Sequence, residues 1–122
     1  MSTLSIKKPT LEQLRAQTAW KACEQYTDKH VKVAKSLPAL IMNSGLMQTL
    51  AFCHEKGREN DVIAGHLRAW LHVRFPALPT DFEGFMQSIA QQNPQDYQRI
   101  NAEAFAWLKW LRQLSAARVK AH

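Results

Sequence analysis

Apolar residues recur at intervals of three and four along the chain, and no segment alternates with period two. Helix formers dominate, β-branched runs are absent and glycine occurs only four times, so the pattern predicts an all-α fold. Boundary signals divide it. Thr10 with Gln13 reads as a capping box opening a first helix at Leu11, which runs to about Ser36 and stops at Leu37-Pro38. A short helix follows over Pro38 to Met42. Asn43-Ser44-Gly45 breaks it, and Leu46 to Lys56 resumes a helix that Gly57 terminates. Asn60 caps a helix over Asp61 to Arg74, and Thr80 with Glu83 opens another over Asp81 to Gln92. Asn93-Pro94 starts the last, reaching about Arg118. The expectation is a compact bundle of five to six helices. It forms a single helical domain over 10–120 behind a flexible N-terminal segment, 1–9.

The faces follow from helical geometry. In the first helix Ala19, Ala22, Tyr26, Val33 and Leu37 gather on one side, while Lys21, Lys29, Lys32 and Lys35 occupy another arc about 120° wide. A basic strip of this kind can follow a phosphate backbone. The same residues also suit an ordinary salt-bridged surface, with Asp28 four residues before Lys32 and Glu24 alongside. The last helix places Tyr97, Ile100, Ala104, Trp107, Leu108, Leu111 and Leu114 on its apolar stripe, with Arg99, Lys109, Arg112 and Lys120 opposite. Trp107 lies mid-stripe and belongs to the core; Trp110 sits at the flank. Ile63, Leu67, Trp70 and Leu71, and then Phe82, Phe85, Met86 and Ile89, give the two intervening helices their buried sides. These stripes close a core without any cofactor.

Composition sharpens the question of partners. The 122 residues carry 16 Lys and Arg against 10 Asp and Glu, a net charge of +6, which favours a polyanionic partner. Two cysteines form no framework, no apolar run is long enough to span a bilayer, and Lys7-Lys8 precede no apolar stretch. A cytoplasmic protein is the expectation. Catalytic patterns are scarce. No two of the five histidines stand three or four apart, Cys53-His54-Glu55 are consecutive and so diverge on a helix, and carboxylates are scattered. There is no phosphate-cradling glycine loop and no nucleophile elbow, since Ser44 lacks the flanking glycines. The reading is a non-enzyme without cofactor or metal.

Two stretches carry a resemblance. One is Leu37-Pro38-Ala39-Leu40-Ile41-Met42-Asn43-Ser44-Gly45-Leu46-Met47-Gln48-Thr49-Leu50-Ala51-Phe52, followed by Lys56. The other is Tyr97-Gln98-Arg99, then Glu103-Ala104 and Leu108-Lys109-Trp110-Leu111-Arg112. Together with Arg15-Ala16, Ala19, Tyr26 and Lys35, they resemble the small helical subunit of type III-B CRISPR effector complexes, the Cmr small-subunit family. Residues 57–93 match only as generic helix.

The resemblance implies a non-catalytic building block of antiviral defence. It would stack with copies of itself beside the backbone subunits that hold the guide RNA, link towards the large polymerase-like subunit, and line the channel where target RNA pairs with guide. Guide pairing would supply sequence specificity, leaving this subunit to recognise shape and phosphates. Lys35, Lys56, Lys109 and Arg112 are the leading expected phosphate contacts, with Arg15, Lys29, Lys32 and Arg99 next. Two other readings compete. A helical protein-binding adaptor without RNA binding would use Trp20, Trp110 or Met47 as anchors. A small cysteine-dependent enzyme would use Cys53 and His54.

Overall fold

The computed structural model describes residues 8–120, and they form five α-helices: α1 (Leu11–Ala22), α2 (Asp28–Lys56), α3 (Arg58–Arg74), α4 (Phe82–Ala90) and α5 (Pro94–Lys120). A single 3-10 turn, Cys23–Gln25, joins α1 to α2. The segment expected to be flexible, residues 1–9, lies outside the described residues except for Lys8 and Pro9.

Local chemistry explains most of the boundaries. Thr10 Oγ1 accepts the Gln13 N–H at 3.1 Å while the Gln13 side chain accepts the Thr10 N–H at 2.7 Å, completing the expected capping box. The long first helix expected to reach Ser36 is instead two helices. The chain turns extended at Tyr26, and Thr27 caps α2 with its N–H donated to His30 Nδ1 at 3.0 Å. Cys23 and Tyr26, on either side of the turn, are both buried in the core.

The stop expected at Leu37-Pro38 does not occur either. Pro38 lies inside α2 and withholds an N–H from the Ala34 carbonyl. Leu37, Pro38 and Ile41 are buried on the core side, and burial of about 1.5–3 kcal/mol per large apolar side chain offsets one absent hydrogen bond. The short Pro38 to Met42 helix is therefore part of α2.

The Asn43-Ser44-Gly45 break is real and falls on one residue. Gly45 has φ 82° and ψ 169°, a conformation essentially confined to glycine, and the helix resumes beyond it. Further boundaries shift by one to three residues. α3 begins at Arg58 rather than after Asn60, and Asp81 rather than Thr80 caps α4, accepting the Gly84 N–H at 2.8 Å.

Three links fix the packing of α1 on α5: Arg15 to Glu103, Thr18 to Trp107 and the Trp20 carbonyl to Arg118. Residue numbers rise together, so the two helices run parallel. α2 and α3 form a hairpin turned at Gly57. Leu37, Ile41, Leu46, Leu50, Ile63, Leu67, Leu71, Phe85, Ile89, Trp107 and Leu111 interleave in one core.

Candidate nucleic-acid interface and its structural supports

The expected phosphate contacts fall into separate groups. Lys29, Lys32 and Lys35 are exposed on successive turns of the first half of α2. Asp28 does not tie down Lys32: among the described residues no carboxylate oxygen lies within 4.0 Å of any of these three ammonium groups. Lys109 and Arg112 are exposed one turn apart on α5 and likewise have no carboxylate partner among the described residues. Lys109 Nζ stands 4.9 Å from the Phe105 ring centre, which orients the ammonium without neutralising it. Lys56 lies apart at the far end of α2, beyond the Gly45 break, with its ammonium 5.8 Å from the Phe52 ring.

Arg99 and Arg15 differ from this group. Arg99 is exposed and holds Asp96 at 3.4 Å. Arg15 is committed to the fold. Its Nε and Nη2 donate to the two oxygens of Glu103 at 2.7 and 2.8 Å, and its Nη1 donates to Glu12 at 2.6 Å. These bonds raise the guanidinium pKa further above its already high value. Arg15 and Lys109 nevertheless line one cleft of about 390 Å³, walled by Trp110 and Glu12.

Glu103 is the centre of this arrangement. It is buried, and besides Arg15 it accepts the Trp70 indole N–H at 3.1 Å and faces Arg74 Nε at 3.4 Å. Burial, the largest single influence, pushes its carboxyl upward. The hydrogen bonds from Arg15 and Trp70 and the neighbouring positive charges together outweigh burial and hold it below the usual range. One carboxylate thus binds α1, α3 and α5 together.

A second support joins the two stretches that carried the resemblance. At Gly45 the helix leaves the N–H groups of Leu46 and Met47 without helical partners. Asn101 Oδ1 accepts the first at 2.8 Å and Tyr97 Oη the second at 3.4 Å. Thr49 Oγ1 donates to the Gly45 carbonyl at 2.8 Å. Sequence reasoning treated Tyr97 and Glu103 only as parts of a pattern; their hydrogen-bonding roles needed the tertiary fold. It also passed over Arg74 and Phe75, which become neighbours of Arg99 only through helix packing.

The cysteine-based reading loses its geometry. Cys53 is buried among core residues, and burial pushes its thiol up to about 11. His54 points outward, stacked 3.8 Å from the Phe82 ring, with its Nδ1 3.1 Å from Asp61. The proposed adaptor anchors are partly engaged as well: Arg118 covers the Trp20 ring at 4.2 Å, and Met47 and Trp110 are half-buried against the core. Among the described residues no helix is long and apolar enough to cross a membrane.

Comparison with known proteins agrees with this architecture. The crystal structure of a CRISPR-associated Cmr5 family protein from Thermus thermophilus superposes with a TM-score of 0.75 at 22% identity, covering 90% of this chain and 97% of the other. At that identity the likeness establishes the fold. The sequence model of the CRISPR-associated protein Cmr5 family matches residues 11–118, from the start of α1 almost to the end of α5. The chain therefore belongs to the Cmr5 family, the small subunits of type III-B CRISPR effector complexes.

Proposed function

We propose that this subunit lines the channel in which guide and target RNA pair, stacking with copies of itself beside the backbone and large polymerase-like subunits and performing no catalysis of its own. The observation that carries this reading is the set of exposed cations without carboxylate partners among the described residues: Lys29, Lys32 and Lys35 on α2, Lys109 and Arg112 on α5, and Lys56. Exposed cations that are left unpaired are available to displace counterions along a phosphate backbone. Arg15 leaves this set, because its donors already serve Glu103 and Glu12. The work is then antiviral defence carried out in the cytoplasm as part of a multisubunit complex.

Charge reversal tests it. Lys35→Glu, Lys109→Glu and Arg112→Glu, singly and combined, are compared with the parent chain for affinity to a single-stranded RNA over a range of salt. Each removed phosphate contact is expected to lower affinity and to reduce the salt slope by about one. Unchanged affinity and unchanged slope in the triple variant would remove the channel-lining role.

A further inference from the structure

The C-terminal end of α3, the chain that leaves it and the first turns of α5 enclose a cleft of about 290 Å³. Two guanidinium groups converge there. Arg74 and Arg99 each stand with Cζ 5.7 Å from the centre of the same ring, that of Phe75. Pro76 continues the apolar lining beyond Phe75 over the buried Leu78 and Ile100, Gln92 contributes an amide and Asp96 a carboxylate.

The charges here are under-compensated. Arg74 faces Glu103 only through Nε at 3.4 Å, and both oxygens of that carboxylate already receive shorter bonds from Arg15. Among the described residues the two terminal nitrogens of Arg74 make no hydrogen bond. Arg99 offers Nη1 to Asp96 at 3.4 Å, a long and solvent-exposed contact that a better acceptor would displace. Two forks of N–H donors around one aromatic ring suit an oxyanion, and phosphate satisfies both at once.

The lining selects among oxyanions. A bare ion would leave the Phe75 ring and Pro76 unused, whereas a nucleotide places its base on that aromatic and apolar surface while its phosphate meets the arginines. A cleft of this volume lies at the lower edge of those that hold small molecules, about 300 Å³.

We infer that the Arg74–Phe75–Arg99 cleft binds one nucleotide of single-stranded RNA, its phosphate between the two guanidinium groups and its base against the apolar lining. This deepens the channel-lining role and rests on it. It also adds a contact away from the lysines of α2, so the strand would be held at a defined point as well as tracked by diffuse charge.

Titration of the full chain with hexauridylate, followed by amide chemical shifts, reads the site directly, with inorganic phosphate and hexaglutamate as comparison ligands. The expected result is that hexauridylate shifts the amides of Ala77, Leu78 and Arg99. Arg99→Gln, a change at an exposed side chain, should lower affinity about tenfold, as should Arg74→Lys, which keeps the charge but removes the fork. Hexauridylate binding that leaves those amides and both variants unaffected, while Lys35→Glu weakens it, would overturn the cleft and leave the channel reading standing. No binding of hexauridylate anywhere would overturn both. Equal occupancy by inorganic phosphate would overturn the nucleotide assignment, and preference for hexaglutamate would turn the cleft into a peptide site.

Discussion

Gly45 and Tyr97 fit against each other so closely that a Cβ on Gly45 would lie 3.3 Å from the tyrosine hydroxyl oxygen, the same atom that accepts the Met47 N–H. The backbone with φ 82° requires the glycine, and a Cβ there would in addition press the hydroxyl back by a few tenths of an ångström. Gly45→Ala is expected to destabilise the protein by about 2 kcal/mol, mostly through backbone strain. Tyr97→Phe should lose less, about 0.5–1.5 kcal/mol, since only one hydrogen bond disappears. Urea unfolding of the two variants measures the order; a Tyr97→Phe loss larger than that of Gly45→Ala would contradict it.

Glu103→Ala should be more damaging, by about 3–5 kcal/mol, because it strips two of the three charge-assisted bonds from the part-buried Arg15 guanidinium, leaving only exposed Glu12, and also unpairs the Trp70 indole. Acid should act on the same group. A carboxyl held below its ordinary 4.5 stabilises the fold above that value, and the stabilisation is lost as pH falls through the lower folded value. Thermal melts between neutral pH and pH 3 should therefore show a drop in the parent chain that is smaller in Glu103→Gln.

A second pH window belongs to His66. Its ring is stacked against Tyr26, with Nδ1 2.7 Å from the Tyr26 hydroxyl, and the Tyr26 ring also stacks with His30. Burial first, and His30 second, lower its pKa from 6.5. Lys21 and Glu24 border the same cleft. Between 6.5 and the lower folded value the unfolded chain binds a proton that the folded chain refuses, so stability falls as pH falls. The difference in stability between the parent and His66→Gln should change across that window and be flat above it.

Cys53 provides a check on the chemistry. With its thiol buried and raised to about 11, native protein at neutral pH should react negligibly with iodoacetamide, and the same chain in urea should be labelled readily. Fast native labelling at Cys53, followed by mass mapping, would reopen a nucleophilic role.

Helical periodicity is a property of neighbouring residues, which is why the helical class, the two-sided character of α5 and the capping box at Thr10 are all legible in the sequence. The Cys23–Thr27 break is harder to read. No Gly or Pro marks it, and the cap is made by a histidine side chain rather than by the glutamate or glutamine that usually completes such a box. Pro38 misleads for the opposite reason: a strong local stop signal is overridden by burial on the core side of α2. At the candidate interface, exposure of Lys29, Lys32, Lys35, Lys109 and Arg112 follows from their helical faces. The loss of Arg15 to Glu103 and the meeting of Arg99 with Phe75 both depend on contacts across 24 or more residues, which no local pattern contains.

The parallel docking of α1 on α5 has a consequence for how the chain is made. A helix of 12 residues is marginal by itself, and its anchors, Glu103, Trp107 and Arg118, lie 88 to 98 residues further along. At a synthesis rate of about 5–20 residues per second, the first helix waits roughly 5–20 seconds for the surface it needs. The α2–α3 hairpin, whose contacts are closer in sequence, is free to form during that interval. Order of synthesis and order of assembly are thus reversed for α1: it leaves the ribosome before α2 and α3 yet docks after they have met, and a chain that ends before Glu103 leaves it without a place.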